Sequence, residues 1–185
     1  MACCNILRSM KINQSKGFTL METLVTLVIA SILVTAAVPA MQDFIVRNRM
    51  TAEVNTFMAS LNLARSEAVK RLQNVEVCPA DSGFTKCINS TDWEDGWMVF
   101  IDKNNDGIVT SGSDKILQRD SALPSRFQII GNQTEFSYAP TGQLYNAGTN
   151  GHYDFCDTAN VAQARRVIVS REGRVRVSQV STTCS

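Results

Sequence analysis

Lys16-Gly17-Phe18-Thr19-Leu20-Met21-Glu22 runs directly into Thr23 to Gln42, TLVTLVIASILVTAAVPAMQ, and the architecture of the chain is read from this junction. The second stretch is twenty consecutive uncharged, mostly apolar residues, long enough to cross a bilayer as a helix. Arg8, Lys11 and Lys16 lie in a first stretch, residues 1–17, that has no acid, and no cation follows the run immediately. That asymmetry places the N-terminal end of the run in the cytoplasm and everything after about residue 45 across the membrane. A secretory signal peptide has a shorter apolar core with its small-residue cleavage site after it. Here the small residue, Gly17, stands before the run. Glu22 sits at its start, where a charge is costly in lipid, and is therefore a candidate functional residue.

These residues together resemble the class III leader of type IV pilins and type II secretion pseudopilins. The resemblance implies that a prepilin peptidase removes residues 1–17, cutting after Gly17, and methylates Phe18. Glu22 then becomes the fifth mature residue, the family position whose carboxylate is thought to neutralise the N-terminal amine of a neighbouring subunit. A carboxylate buried in lipid or a helix bundle needs such a cationic partner. Pro39 falls where pilins often carry a helix-kinking proline, which removes one backbone bond.

Beyond the apolar run, Met50, Val54, Phe57, Leu61, Ala64, Ala68 and Leu72 recur every three or four residues among Arg47, Arg49, Glu53, Arg65 and Lys70. A helix from about residue 19 to about residue 72 follows, on the order of 80 Å long, too long for one small domain. Its first half is expected in lipid or a filament and its second half against a globular head. Leu61 to Arg71 reads L-x-x-A-R-S-E-A-x-x-R, similar to the FimT/FimU and GspH branch of minor pilins and pseudopilins. The Arg65 and Glu67 charges are read as solvated groups or helix-to-sheet ties.

From Val75 the period changes to short runs of Val, Ile, Phe and Tyr broken by Gly, Asn, Asp and Pro. Strands are expected near 75–78, 96–102, 115–120, 127–130, 134–138, 166–170 and 174–180. Glu172-Gly173 marks a tight hairpin between the last two. The fold class is α+β: a long N-terminal helix, transmembrane over about 23–42, continuing to residue 72, with a mostly antiparallel β head over 73–185. Gly96 to Gly107, G-W-x-V-F-x-D-x-N-x-D-G, resembles a segment of the GspH/FimT head. The stretches 78–92 and 142–161 carry no recognised pattern.

Asp102, Asn104, Asp106 and Gly107 match the front half of a calcium loop, but the twelfth position is Ser113 rather than a bidentate Glu. An Asn/Asp/Gly-rich turn is the simpler reading, and no metal or other cofactor is expected. Cys3 and Cys4 lie in the leader, leaving Cys78, Cys87, Cys156 and Cys184. An even count in an oxidising compartment points to disulfides. Of three possible connectivities, Cys78 with Cys87 and Cys156 with Cys184 are favoured; a zinc site lacks any C-x-x-C. The sole histidine, His152, is read as an exposed loop residue, so no catalytic triad can be assembled and no enzyme is expected.

The 185 residues are 44% apolar and 19% charged, with 18 basic and 17 acidic side chains. That balance excludes a wholesale basic nucleic-acid binder and leaves only local patches. Loss of Arg8, Lys11 and Lys16 with the leader leaves 15 cations against 17 acids, a net charge of minus two. Within residues 161–185, however, Arg165, Arg166, Arg171, Arg174 and Arg176 face Glu172 alone. Guanidinium forks suit phosphate. Arg174 and Arg176, two apart on a strand, share a face beside the Gly173 turn.

This Gly-Arg-x-Arg stretch resembles the motif that FimT-type minor pilins use for DNA capture during natural transformation. The resemblance implies that Arg174 and Arg176 contact double-stranded DNA, with Arg171 and Arg166 as helpers. The same charges also suit a solvated edge hairpin that blocks aggregation, or a contact with acidic faces of other pilins. The expected protein is a minor type IV pilin placed near the fibre tip. The alternatives are a GspH-like pseudopilin of type II secretion and a pilus-priming subunit without DNA binding.

Overall fold

The computed structural model describes residues 17–179 apart from 105, 146–149 and 160–163, and only the backbone of Ala36, Pro39 and Ala40. The chain divides into two compact units, Met1–Phe44 and Ile45–Ser185. One helix, α1 (Leu20–Arg71), contributes to each.

In the first unit Thr19 caps α1, its hydroxyl accepting the Glu22 N–H at 3.2 Å. Thr at the cap with Glu three residues on is the capping-box pattern, so the acid also favours the helix N-terminus. The leader cations and Cys3 and Cys4 lie outside the described residues. The backbone is helical through Pro39. Large apolar side chains from Leu20 to Phe44, including Leu24, Ile29, Ile32 and Leu33, are exposed.

In the second unit Met50, Val54, Phe57, Leu61, Ala64 and Ala68 are all buried, as the three-to-four spacing predicts, whereas Leu72, the last of the expected stripe, lies past the helix end and is exposed. α1 ends in a Schellman-type arrangement: the Gln73 N–H reaches the Ala68 carbonyl at 3.3 Å, with Leu72 left-handed at φ 55°. Nine strands follow among the described residues: β1 (Val75–Pro79), β2 (Gly96–Ile101), β3 (Lys115–Ser121), β4 (Phe127–Gly131), β5 (Phe136–Tyr138), β6 (Leu144–Tyr145), β7 (Gly151–Asp157), β8 (Arg165–Val169) and β9 (Val175–Gln179). They form two sheets of antiparallel pairs, ordered β3-β2-β1-β5-β6 and β4-β7-β8-β9.

Both sheets turn apolar faces to α1. Phe57 is the meeting point, its ring 5.0 to 5.6 Å from those of Trp93, Trp97, Tyr153 and Phe155. Edge-to-face pairs of this kind add about 0.5–1.5 kcal/mol each beyond buried area. Ser60 supplies a buried polar tie: its hydroxyl accepts from Trp97 Nε1 at 3.0 Å and Gln118 Nε2 at 2.9 Å and lies 3.0 Å from Asp120 Oδ2.

Two strands were not expected. β6 and β7 lie within 142–161, and His152 is not an exposed loop residue but a half-buried member of β7, paired with Ile168 of β8. Tyr153 and Phe155 alternate inward from β7 while His152, Asp154 and Cys156 take the opposite face. Gly151 and His152 before the aromatics and Asp154 between them disguise that two-residue period.

Candidate functional site

The hairpin that carries the arginines is short and tightly fixed. Ser170 accepts the Gly173 N–H at 2.8 Å, and Ser170 N–H donates to the Arg174 carbonyl at 2.9 Å. Gly173, at φ 77°, completes a three-residue loop. A Cβ there would stand 2.1 Å from the Gly142 carbonyl oxygen, so the glycine serves a close approach of two turns within the protein.

Register fixes which way each side chain points. Val175 pairs with Val169 and Val177 with Val167, and Val167 and Val169 are fully buried. Arg174 and Arg176 therefore take the opposite, outer face of the edge strand β9, and both are exposed. Neither is in an ion pair among the described residues. Arg171 is exposed in the loop, its N–H donating to Asn150 Oδ1 at 3.2 Å. Arg166 differs. Its Nε and Nη2 donate to the two carboxylate oxygens of Asp154 at 2.6 and 2.7 Å, so its fork already holds an anion within the sheet. The structure thus leaves Arg171, Arg174 and Arg176 exposed along the hairpin and ties Arg166 to Asp154.

Glu172 lies among these cations. Its carboxyl is held below the usual range first by its own backbone N–H, then by the Ser170 hydroxyl, then by Arg174 and Arg171. Arg65 of α1 is the helix-to-sheet tie, donating from Nε to the Gly142 carbonyl at 2.9 Å and from Nη2 to the Glu172 carbonyl at 3.0 Å. Glu67 pairs instead with Arg71 and Lys70 on its own helix.

Elsewhere, Cys78 and Cys87 form the expected disulfide. Cys156 is also disulfide-bonded, while its expected partner Cys184 lies outside the described residues. Ligand atoms of Glu76, Cys78 and Cys87 cluster within 4.8 Å, but the bridged sulfurs offer no thiolate to a metal. Glu76 is buried 3.2 Å from Cys87 Sγ. Its pKa is pushed up to about 8, first by burial and then by the charges of Glu135, Asp102 and Asp106. In the Asp102–Gly107 turn, Asp102 accepts the backbone N–H groups of Asn104 at 3.2 Å and Gly107 at 2.9 Å. Asp106 accepts from Ile108 N–H at 2.8 Å and Asn104 Nδ2 at 2.7 Å, as a self-bonded Asx turn requires.

An N-terminal helix followed by two sheets of antiparallel pairs is a type IV pilin-like fold. The family described as Type II transport protein GspH matches residues 53–173, and the prokaryotic N-terminal methylation motif matches residues 12–38. The chain belongs to the GspH family of minor pilins and pseudopilins, which are structural, non-enzymatic proteins. The methylation motif implies processing by prepilin peptidase and assembly with other pilins.

Among solved structures it is similar to the type IV minor pilin FimU of Pseudomonas aeruginosa, at 20% identity and a TM-score of 0.55, covering 74% of this chain and 93% of that one. It is also similar to the minor pseudopilin EpsH from the type 2 secretion system of Vibrio cholerae, at 15% identity and a TM-score of 0.51, covering 71% and 97%. No curated protein matches the chain by sequence. Among the described residues no helix is long and apolar enough to cross a membrane.

Proposed function

We propose that this chain is a minor subunit of a type IV pilus, incorporated near the tip, that binds double-stranded DNA through the β8–β9 hairpin. In this reading the apolar run over 23–42 anchors the precursor in the inner membrane. Prepilin peptidase cuts after Gly17 and methylates Phe18, and Glu22 neutralises the N-terminal amine of a neighbouring subunit. The observation that carries the DNA reading is the outward placement of Arg174 and Arg176 on an edge strand, with Arg171 beside them and no carboxylate holding either fork. Arg166 belongs to the sheet rather than to the contact, because Asp154 occupies it.

Such a site reads phosphates, not sequence, and its affinity falls steeply with salt. The test is a titration of mixed-sequence duplex at several salt concentrations, using full-length protein in detergent beside an Arg174→Ala, Arg176→Ala double variant. Salt-sensitive binding that the double variant loses supports the reading; no binding at low salt by the folded protein overturns it.

A second reading, a pseudopilin of type II secretion, is favoured by the likeness to EpsH. Neighbouring genes separate the two readings: other minor pilins for the first, secretion components for the second.

A further inference from the structure

Arg65 reaches from α1 to two turns at once, and one of them carries the proposed DNA contact. Its planar fork donates to the Gly142 carbonyl at 2.9 Å and the Glu172 carbonyl at 3.0 Å. Two other carbonyls of the hairpin are already held: that of Ser170 by Gly173 N–H at 2.8 Å and that of Arg171 by Leu144 N–H at 3.0 Å. Arg65 is therefore the group that fixes the last peptide before Gly173 and Arg174. The packing around it is close. A Cβ at Gly173 would lie 3.1 Å from Arg65 Nε, and one at Gly142 would lie 3.3 Å from the same atom.

We infer that Arg65 is a positioning residue for phosphate binding: it touches no DNA, and sets the direction in which Arg174 and Arg176 leave the hairpin by clamping the Glu172 and Gly142 carbonyls together. This rests on the DNA reading above. Charge-assisted bonds from a rigid fork suit the task, because two carbonyls at a set spacing are held by one planar group. The β8–β9 ladder from Arg165↔Gln179 to Val169↔Val175 and the core below it do not depend on those two bonds. Loss of Arg65 should therefore turn the loop without unfolding the sheet.

The experiment uses full-length protein in detergent, a mixed-sequence duplex, and the variants Arg65→Met, Arg65→Lys and Arg174→Ala. Affinity is measured against salt, and the amide resonances of Gly173 and Arg174 are followed by NMR. Arg65→Met is expected to weaken binding about tenfold with the salt slope unchanged, while shifting both amides. Arg174→Ala should lower the slope by about one phosphate. Arg65→Lys, which keeps the charge but not the fork, should fall between wild type and Arg65→Met with the wild-type slope.

Wild-type affinity in folded Arg65→Met overturns the inference, and so does a loss of about one unit of slope, which would make Arg65 a direct contact. If the Met variant does not fold, the Lys variant decides: reduced affinity at constant slope supports positioning, and wild-type affinity overturns it. Absence of binding by the wild-type chain overturns the DNA reading together with this inference; binding that Arg65 variants leave intact overturns this inference alone.

Discussion

Arg166 and Asp154 face each other across the β8–β7 ladder and share two hydrogen bonds, at 2.6 and 2.7 Å. The pair converts what reads in sequence as one more cation of a basic tail into a strut of the sheet. Replacing Arg166 by Ala leaves Asp154 without its partner on a half-covered face. A loss of about 1–2 kcal/mol is expected, with the salt slope of DNA binding unchanged. Denaturant titration and the salt series together check this; a fall of about one in the slope would place Arg166 on the phosphates.

Glu172 is the one acid within the arginine hairpin, ionised at neutral pH and close to Arg171 and Arg174. Glu172→Gln removes its repulsion of phosphate and its competition for the guanidinium groups. Binding at low salt should tighten by about two- to fivefold, and the gain should shrink as salt screens exposed charges. Titration at two salt concentrations reads both effects.

Glu76 gives the protein an unusual pH dependence. Its folded pKa of about 8 exceeds the reference value of 4.5, so the native state holds a proton that the unfolded chain releases across that interval. Its contribution is fully present below about pH 4.5 and fades as pH rises towards 8, by about 1.4 kcal/mol per pH unit at most. Acids with lowered pKa, such as Asp81 and Asp114, tilt stability the other way only at lower pH. Glu76→Gln should therefore gain stability relative to wild type between pH 5 and 8, as read by denaturation at both ends. A constant difference would contradict the burial argument.

The Cys78–Cys87 bridge closes a loop of sequence separation 9 and holds a small second core of Cys78, Ala80, Met98 and Phe100. Opening it should cost about 2–3 kcal/mol by loop entropy. Thermal unfolding of a Cys78→Ala, Cys87→Ala variant, compared with the oxidised protein, measures this.

The helix and most strands were legible because burial imposes a period on the residues. The stripe from Met50 to Ala68 is apolar where α1 meets both sheets, and the runs at 96–101 and 165–169 are apolar where they face it. β7 was not legible, since Gly151, His152 and Asp154 sit on its outer face or at a close contact and read as loop residues. Missing β7 also hid the Arg166–Asp154 pair, which exists only because β7 lies beside β8. The end of α1 was legible from the apolar spacing, but its left-handed residue is Leu72 rather than a glycine, so no cap signal marked it. Of the arginine site, the shared face of Arg174 and Arg176 followed from strand alternation. The role of Gly173 did not, because it depends on Gly142, far away in sequence.

In the proposed function this pilin-class subunit carries DNA on its fibre through Arg174 and Arg176. The direct measurement is DNA retention by purified fibres from cells producing either the wild-type chain or the Arg174→Ala, Arg176→Ala variant, with incorporation of each followed by immunoblot. Equal incorporation with DNA retention lost only in the variant is the predicted result. Equal incorporation with equal retention would contradict the claim and leave the hairpin as a structural edge of the head.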